Sequence, residues 1–352
     1  MGVNGNEDYD SSRIDSLHAL KYNTQINDWL NFTPRAAVRL TYYSDSSEQA
    51  VTEDNLAGLI GANDPFRNPT SGVTNYDAEG GDKLRLVGEL GYELSFKAYK
   101  TWHDATHEGL GIDGLRHVMR PYINHNYIAS SEERDHLYLF DEVDRIEDQH
   151  WIRTGVENRV QTRREGKIHT LVTVNNWIDF HLPNSGDREN GVGDFGTHLE
   201  FNPAEDLSFE SDVTLDMETG EINLYSMTAR IGDPNKLQYT LRYLYRDNVD
   251  NRDLYSNAST VYNPIGVSSY AYADRQHLVD VSMRYMFWYK HFVELGSNYD
   301  VEEGEFVSYY LGYQRKIHAW TASMRYEMDD DDYQVMLYLY LNAYPNLRVG
   351  SN

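Results

Sequence analysis

Residues 83–99 read Lys-Leu-Arg-Leu-Val-Gly-Glu-Leu-Gly-Tyr-Glu-Leu-Ser-Phe-Lys-Ala-Tyr, alternating between two kinds of side chain. Leu84, Leu86, Leu90, Tyr92, Leu94, Phe96 and Ala98 fall on one side, and Lys83, Arg85, Glu89, Glu93, Ser95 and Lys97 on the other. Successive side chains of an extended backbone point to opposite faces, so the stretch predicts one long strand with an apolar and a charged side. Ordinary globular strands run to about 5 or 6 residues, well short of this. What decides the fold is the solvent that wets each face.

The pattern recurs along the chain. Ala36, Val38, Leu40 and Tyr42 alternate with Arg35, Arg39 and Thr41, and Ile152, Val156 and Val160 with Arg153, Glu157, Arg159 and Arg163. Beyond Glu165-Gly166 it resumes at Ile168 and runs to Leu182. Similar sets begin at Phe195, Leu207, Leu237, Val279, Val293, Val307, Trp320 and Val335. Together they predict about 15 strands and no helix of any length, with Arg13 to Asn27 and His136 to Phe140 irregular. Turn formers at Glu165-Gly166, Asn202 to Asp206, Glu218 to Gly220, Asp233 to Asn235, Glu302 to Glu305 and Asp329 to Asp332 predict short turns. Ser44 to Asp82, Trp102 to Gly114 and Asn248 to Asp274 predict longer loops. Long loops at one end of a meander and short turns at the other mark outer-membrane barrels, although the two kinds do not alternate cleanly throughout this sequence.

Composition narrows the solvent question. The 352 residues are 25% charged and 40% hydrophobic, with a mean hydropathy of −0.67. No window approaches the ~18 uninterrupted apolar residues of a spanning helix. Tyr occurs 29 times and Trp 6 times against 9 Pro, which suits extended surfaces and the aromatic girdles of membrane barrels. A net charge of −25 argues against nucleic acid as a partner. With no cysteine there is no disulfide, thiolate nucleophile or cysteine-bound zinc.

A lipid-facing exterior accounts for the two-faced strands. Backbone groups in a bilayer must be paired, so sheets there close into barrels with apolar outsides and polar lumens. Residues 167–182, if extended, reach roughly 50 Å at ~3.3 Å per residue, more than a sandwich core uses. They would project a wall beyond the apolar band of about 25 Å. The expected fold class is all-β, an antiparallel transmembrane β-barrel with about 15 to 16 strands visible. Residues 1–12 are expected to be a disordered N-terminal segment, 13–344 the barrel region and 345–352 a C-terminal tail. Residues 1–8 lack the basic and apolar regions of a signal peptide.

Three stretches carry a resemblance: Trp29 to Tyr43, Gly114 to Tyr127 and Gly155 to Lys167. With Arg116-His117 followed four residues later by Pro121, and with Asn158-Arg159, Gln161 and Arg163 in the next strand, the sequence resembles the C-terminal barrel of the LptD family, also called organic solvent tolerance proteins. The resemblance implies transport rather than catalysis, at the Gram-negative outer membrane. Lipopolysaccharide would enter the barrel wall and leave sideways into the outer leaflet, around an LptE-like lipoprotein plug, after insertion by the barrel-assembly machinery. In the family the lateral gate lies between the first and last strands. The family's barrel has more strands, and its periplasmic N-terminal domain and its cysteines are not matched. The chain is therefore expected to be either the C-terminal part of a larger barrel or a short barrel that closes on itself.

Candidate lumen-lining residues are Arg39, Arg85, Glu89, Glu93, Arg153 and Glu157, alongside Arg159, Arg163, Glu200 and Glu210. Mixed charge predicts cross-strand pairs facing a wet lumen, the sharper alternative being a basic track for lipid phosphates. Pro121 predicts a bulge or edge, because it cannot donate to a ladder. His103 and His107, four apart with Glu108 beside them, would suit a metal on a helix but fall in an expected loop. Acidic runs at Glu142 to Asp148 and Asp329 to Asp332 read as solvated turns, with divalent-cation binding the alternative. No metal site or cofactor is expected, and no phosphate-loop, dinucleotide or nucleophile-elbow motif is present. Two other functions stay open: a general diffusion porin of about 16 strands, and a soluble β-rich binding protein.

Overall fold

The computed structural model describes residues 12–46, 81–132, 136–137, 143–144, 146–184, 190–247, 275–329, 332–342 and 344–351. Residues 1–11, most of the expected loop at 44–82 and all of that at 248–274 lie outside them, as do residues 330–331 of the last acidic turn.

Every ladder is antiparallel and joins neighbours in a meander. The N-terminal half comprises β1 (Arg13–Lys21), β2 (Thr24–Ile26), β3 (Leu30–Tyr43), β4 (Lys83–Ser95), β5 (Ala98–His107), β6 (Ile112–Ser130), β7 (Gln149–Arg164), β8 (Lys167–His181) and β9 (Gly191–Ala204). It continues through β10 (Leu207–Asp216), β11 (Ile222–Asp233), β12 (Leu237–Asp247), β13 (Arg275–Trp288), β14 (His291–Asp300), β15 (Glu305–Ile317), β16 (Trp320–Asp329), β17 (Asp332–Leu341) and β18 (Tyr344–Ser351). The sheet has 18 strands, more than alternation alone indicates, because two positions in the wall are each filled by a pair of collinear strands. β1 and β2 both pair with β3, and β4 and β5 both pair with β6.

The β4–β5 break corrects the single strand expected over 83–99. β4 pairs with Tyr122–Ser130 and β5 with Ile112–Met119, so the gap at Phe96-Lys97 lies opposite Arg120-Pro121. Pro121 has no N–H to donate, and the Phe96 amide reaches its carbonyl at 3.3 Å. Three other expectations change. Trp102 to Gly114 is mostly strand, with one 3-10 turn at Glu108–Leu110. Arg13 to Asn27 is largely β1 and β2, and residues 344–351, mostly within the expected tail, form β18 on β17.

Connections alternate more regularly than the sequence indicates. Those at 27–29, 108–111, 165–166, 205–206, 234–236, 289–290, 318–319 and 342–343 all leave from one end, and both of the longest leave from the other. At 165–166, Glu165 (φ 49°) and Gly166 (φ 78°) both take positive φ, the two-residue turn whose twist matches a hairpin.

The two faces of the wall differ as the alternation requires. On β3, Val38, Leu40 and Tyr42 are exposed while Arg39, Thr41 and Tyr43 are buried. On β4, Leu84, Leu86 and Leu90 are exposed while Arg85, Val87 and Glu89 are buried. β15 repeats this, with Tyr309 and Leu311 outward and Ser308 and Tyr310 inward. On each of these strands the charged and polar side chains are on the buried face.

Candidate functional site: the inner face of the barrel

Charged side chains on the inner face meet across strands because odd and even positions are held in register. Arg35 donates to Glu89 at 2.8 Å, Asn124 at 2.9 Å, Asn126 at 2.8 Å and the His125 carbonyl at 3.0 Å. Arg120 bridges Glu93 at 2.9 Å and Glu157 at 3.3 Å, and Arg159 reaches Glu157 at 2.5 Å. Arg153 holds Asp179 through two nitrogens, each at 2.7 Å, the bidentate geometry that makes such pairs strong. Arg39 does the same to Asp15, at 2.8 and 2.7 Å, and Thr41 adds a third bond there. His198 lies 2.8 Å from Asp212 and 3.4 Å from Glu200.

Toward the end of the long connections, residues 143–144 and 146 pack against the inner face. Ile146 joins Ala37, Val87 and Ile128 in an apolar cluster, with Leu17 and Val143 against it. Arg85 anchors this turn by donating to the Val143 and Asp144 carbonyls at 3.0 and 3.1 Å, to Ser130 at 2.9 Å and to the Ile146 carbonyl. Asp144 in turn accepts from Arg13 on β1 at 2.8 Å and from the Tyr43 hydroxyl at 2.7 Å. One inward turn thus ties β1, β3, β4 and β6 together.

A second device recurs around the wall. Tyr122, Trp177 and Tyr310 each lie directly opposite a glycine on the next strand, Gly155, Gly196 and Gly296. A Cβ at any of these glycines would collide with the facing ring. Each ring also has an arginine over it: Arg120 at 5.2 Å, Arg153 at 5.0 Å and Arg325 at 3.7 Å. Glycine lets the ring lie flat on the wall, and the cation covers the ring.

Between these groups lies a cavity of about 930 Å³, lined by Arg35, Glu89, Glu93, Arg120, Arg153 and Glu157 and reaching β1 at Ala19, Leu20 and Lys21. Of the other residues singled out in the sequence, Arg116 and Gln161 are direct neighbours on the inner face, with Arg116 over the Tyr99 ring at 4.8 Å. His117 and Asn158 pair at 3.0 Å on the opposite face. Arg163 is exposed beside the 165–166 turn. The matching stretch is therefore divided between both sides of the wall. Arg35, Arg120, Asn124 and Tyr122 were not among the candidates, although they share parity with residues that were. His103 and His107 lie on β5, and among the described residues no group of three or more His, Cys, Asp or Glu could hold a metal ion.

Comparison with known proteins bears on what this wall belongs to. The family model LptD, LPS transport system D, matches residues 3–290. No curated protein matches the sequence. Among solved structures, a mutant of the Rh. blastica porin is similar at 7% identity and a TM-score of 0.38, over 77% of this chain and 85% of that one. The FrpB iron transporter from Neisseria meningitidis is similar at 9% identity and a TM-score of 0.41, over 92% of this chain. The alcaligin outer membrane receptor FauA from Bordetella pertussis is similar at 9% identity and a TM-score of 0.36, over 94%. This chain spans 56% of each of the last two proteins. The family match covers most of the chain and includes all three stretches that carry the resemblance: the chain belongs to the LptD family, as an antiparallel β-barrel of the Gram-negative outer membrane.

Proposed function

We propose that this chain forms the barrel wall through which lipopolysaccharide passes sideways into the outer leaflet, by transport rather than catalysis. The observation that carries this reading is the position of the cavity. It reaches β1, where inward Lys21 and outward Leu20 both line it. Such an amphiphile has an anionic sugar head and several acyl chains. A head beside Lys21, Arg35 and Arg120 would find cations and hydrogen-bond donors, while its chains could lie outside against Leu20. An LptE-like plug filling the lumen and insertion by the barrel-assembly machinery belong to the same reading.

A photoreactive amino acid placed at Leu20 or Lys21 in the whole protein, in living cells, tests it. Lipopolysaccharide adducts at both positions are expected, and none at Tyr310, which points inward from β15. Absence of adducts from a folded barrel would overturn the reading. A steady open conductance in planar bilayers would point instead to a diffusion pore.

A further inference from the structure

We propose that His125 and His150 form a two-histidine site for a borderline divalent transition cation, with zinc the best fit, on the outer rim of the barrel. The register pairs Tyr127 with His150 and His125 with Ile152, so the two rings are diagonal neighbours on the face opposite Asn124 and Asn126. Both stand toward the end where the long connections leave, since β7 begins at Gln149 and Pro183 follows β8.

The Nε2 atoms are 3.2 Å apart. Zinc binds imidazole nitrogen at ~2.0–2.1 Å, and one ion at that distance from both atoms would subtend an angle of about 100°, close to tetrahedral. Square-planar ligation would need the nitrogens about 0.3 Å closer. His150 Nδ1 lies 2.8 Å from the Pro183 carbonyl. A carbonyl only accepts, so Nδ1 carries the proton and Nε2 the lone pair. This is the outer hydrogen bond that orients metal-bound histidines. Both rings are further fixed by tyrosines. Tyr92 stacks on His125 with centroids 5.1 Å apart, and Tyr127 meets His150 edge-on at the same distance.

Water would complete the coordination, making the site exchangeable rather than closed. Magnesium and calcium prefer oxygen ligands and would compete poorly. A bound ion would clasp β6 to β7 at the rim.

The test is zinc titration of the whole metal-stripped chain in detergent micelles, followed by calorimetry, with magnesium in excess. The chain has 13 histidines, so the site is read as a difference between proteins. His125→Gln and His150→Gln should each weaken the same single event at least tenfold, while His291→Gln leaves it unchanged. Identical isotherms for all four proteins would overturn the proposal and leave the pair a simple hydrogen bond. If a variant does not fold, diethylpyrocarbonate labelling of the wild type replaces it. Zinc should protect His125 and His150 together, and unchanged labelling of both would overturn the proposal.

Discussion

Replacing Arg85 by alanine should release residues 143–144 and 146 from the inner face and destabilise the barrel. The side chain is 0% exposed and donates to three backbone carbonyls and the Ser130 hydroxyl. A hydrogen bond from a charged donor contributes about 1.5–3 kcal/mol. Four such bonds on one group do not add, because some acceptors regain water once the turn lifts. A buried carbonyl left without its donor costs about 1–3 kcal/mol, and with three of them partly relieved as the turn lifts the expected loss is about 3–5 kcal/mol. Arg85→Lys keeps the charge but not the planar fork, so about half of that loss is expected. Arg116→Ala, which removes a cation lying over exposed Tyr99, should cost only about 0.5–1 kcal/mol. Guanidinium unfolding of the whole chain in micelles, followed by tryptophan fluorescence, gives the three values. Protease cutting within 131–148 should rise in parallel for Arg85→Ala. If that variant is as stable as Arg116→Ala and its connection no easier to cut, the turn is not anchored as described.

Leu90→Arg places a charge on the outer face at a side chain that is 62% exposed. The cost of such a charge falls from about 2–4 kcal/mol at the bilayer midplane to about 0–1 kcal/mol near an interface. Leu90 pairs with Tyr127, the neighbour of His150, so the lower range is expected, measured by unfolding in liposomes. Gly196→Val drives a side chain into the Trp177 ring, and an overpacking loss of about 1–3 kcal/mol is expected; Gly220→Val, in a β10–β11 turn with open space around it, separates collision from backbone strain. Arg153→Ala leaves buried Asp179 without its bidentate partner and should cost about 3–5 kcal/mol, with Asp179→Asn partly restoring stability in the double variant.

Much of the wall is legible from period two alone. Alternation separates Leu84, Leu86 and Leu90 from Arg85 and Glu89 without reference to any partner strand, because side-chain direction is a local property. Partners are not local. Alternation makes Glu89 look like a solvated charge, whereas Arg35 pairs with it across 54 residues of sequence. The break at Phe96-Lys97 depends on a proline in the next strand. The flat rings over Gly155, Gly196 and Gly296 depend on which residue register sets opposite each aromatic, and a one-residue slip would erase all three. His125 and His150 meet for the same reason, while the conspicuous His103 and His107 share one strand. The packing of residues 143–144 and 146 on the inner face was the least legible, since an acidic run such as Glu142 to Asp148 ordinarily faces water. Here Arg13, Tyr43 and Arg85 provide the partners that let part of it be buried.

Everything rests on the wall having one face in lipid and one in a wet lumen. These 352 residues include no cysteine, so single spin labels can be placed cleanly at Thr173, Val174 and Asn175 of β8. Thr173 and Asn175 line the cavity, and Val174 points the other way. In liposomes, collision rates with oxygen, which concentrates in lipid, and with a water-soluble nickel chelate should alternate along these positions. Oxygen should dominate at Val174 and nickel at Thr173 and Asn175. Equal accessibility at all three, or the reverse alternation, would contradict the account.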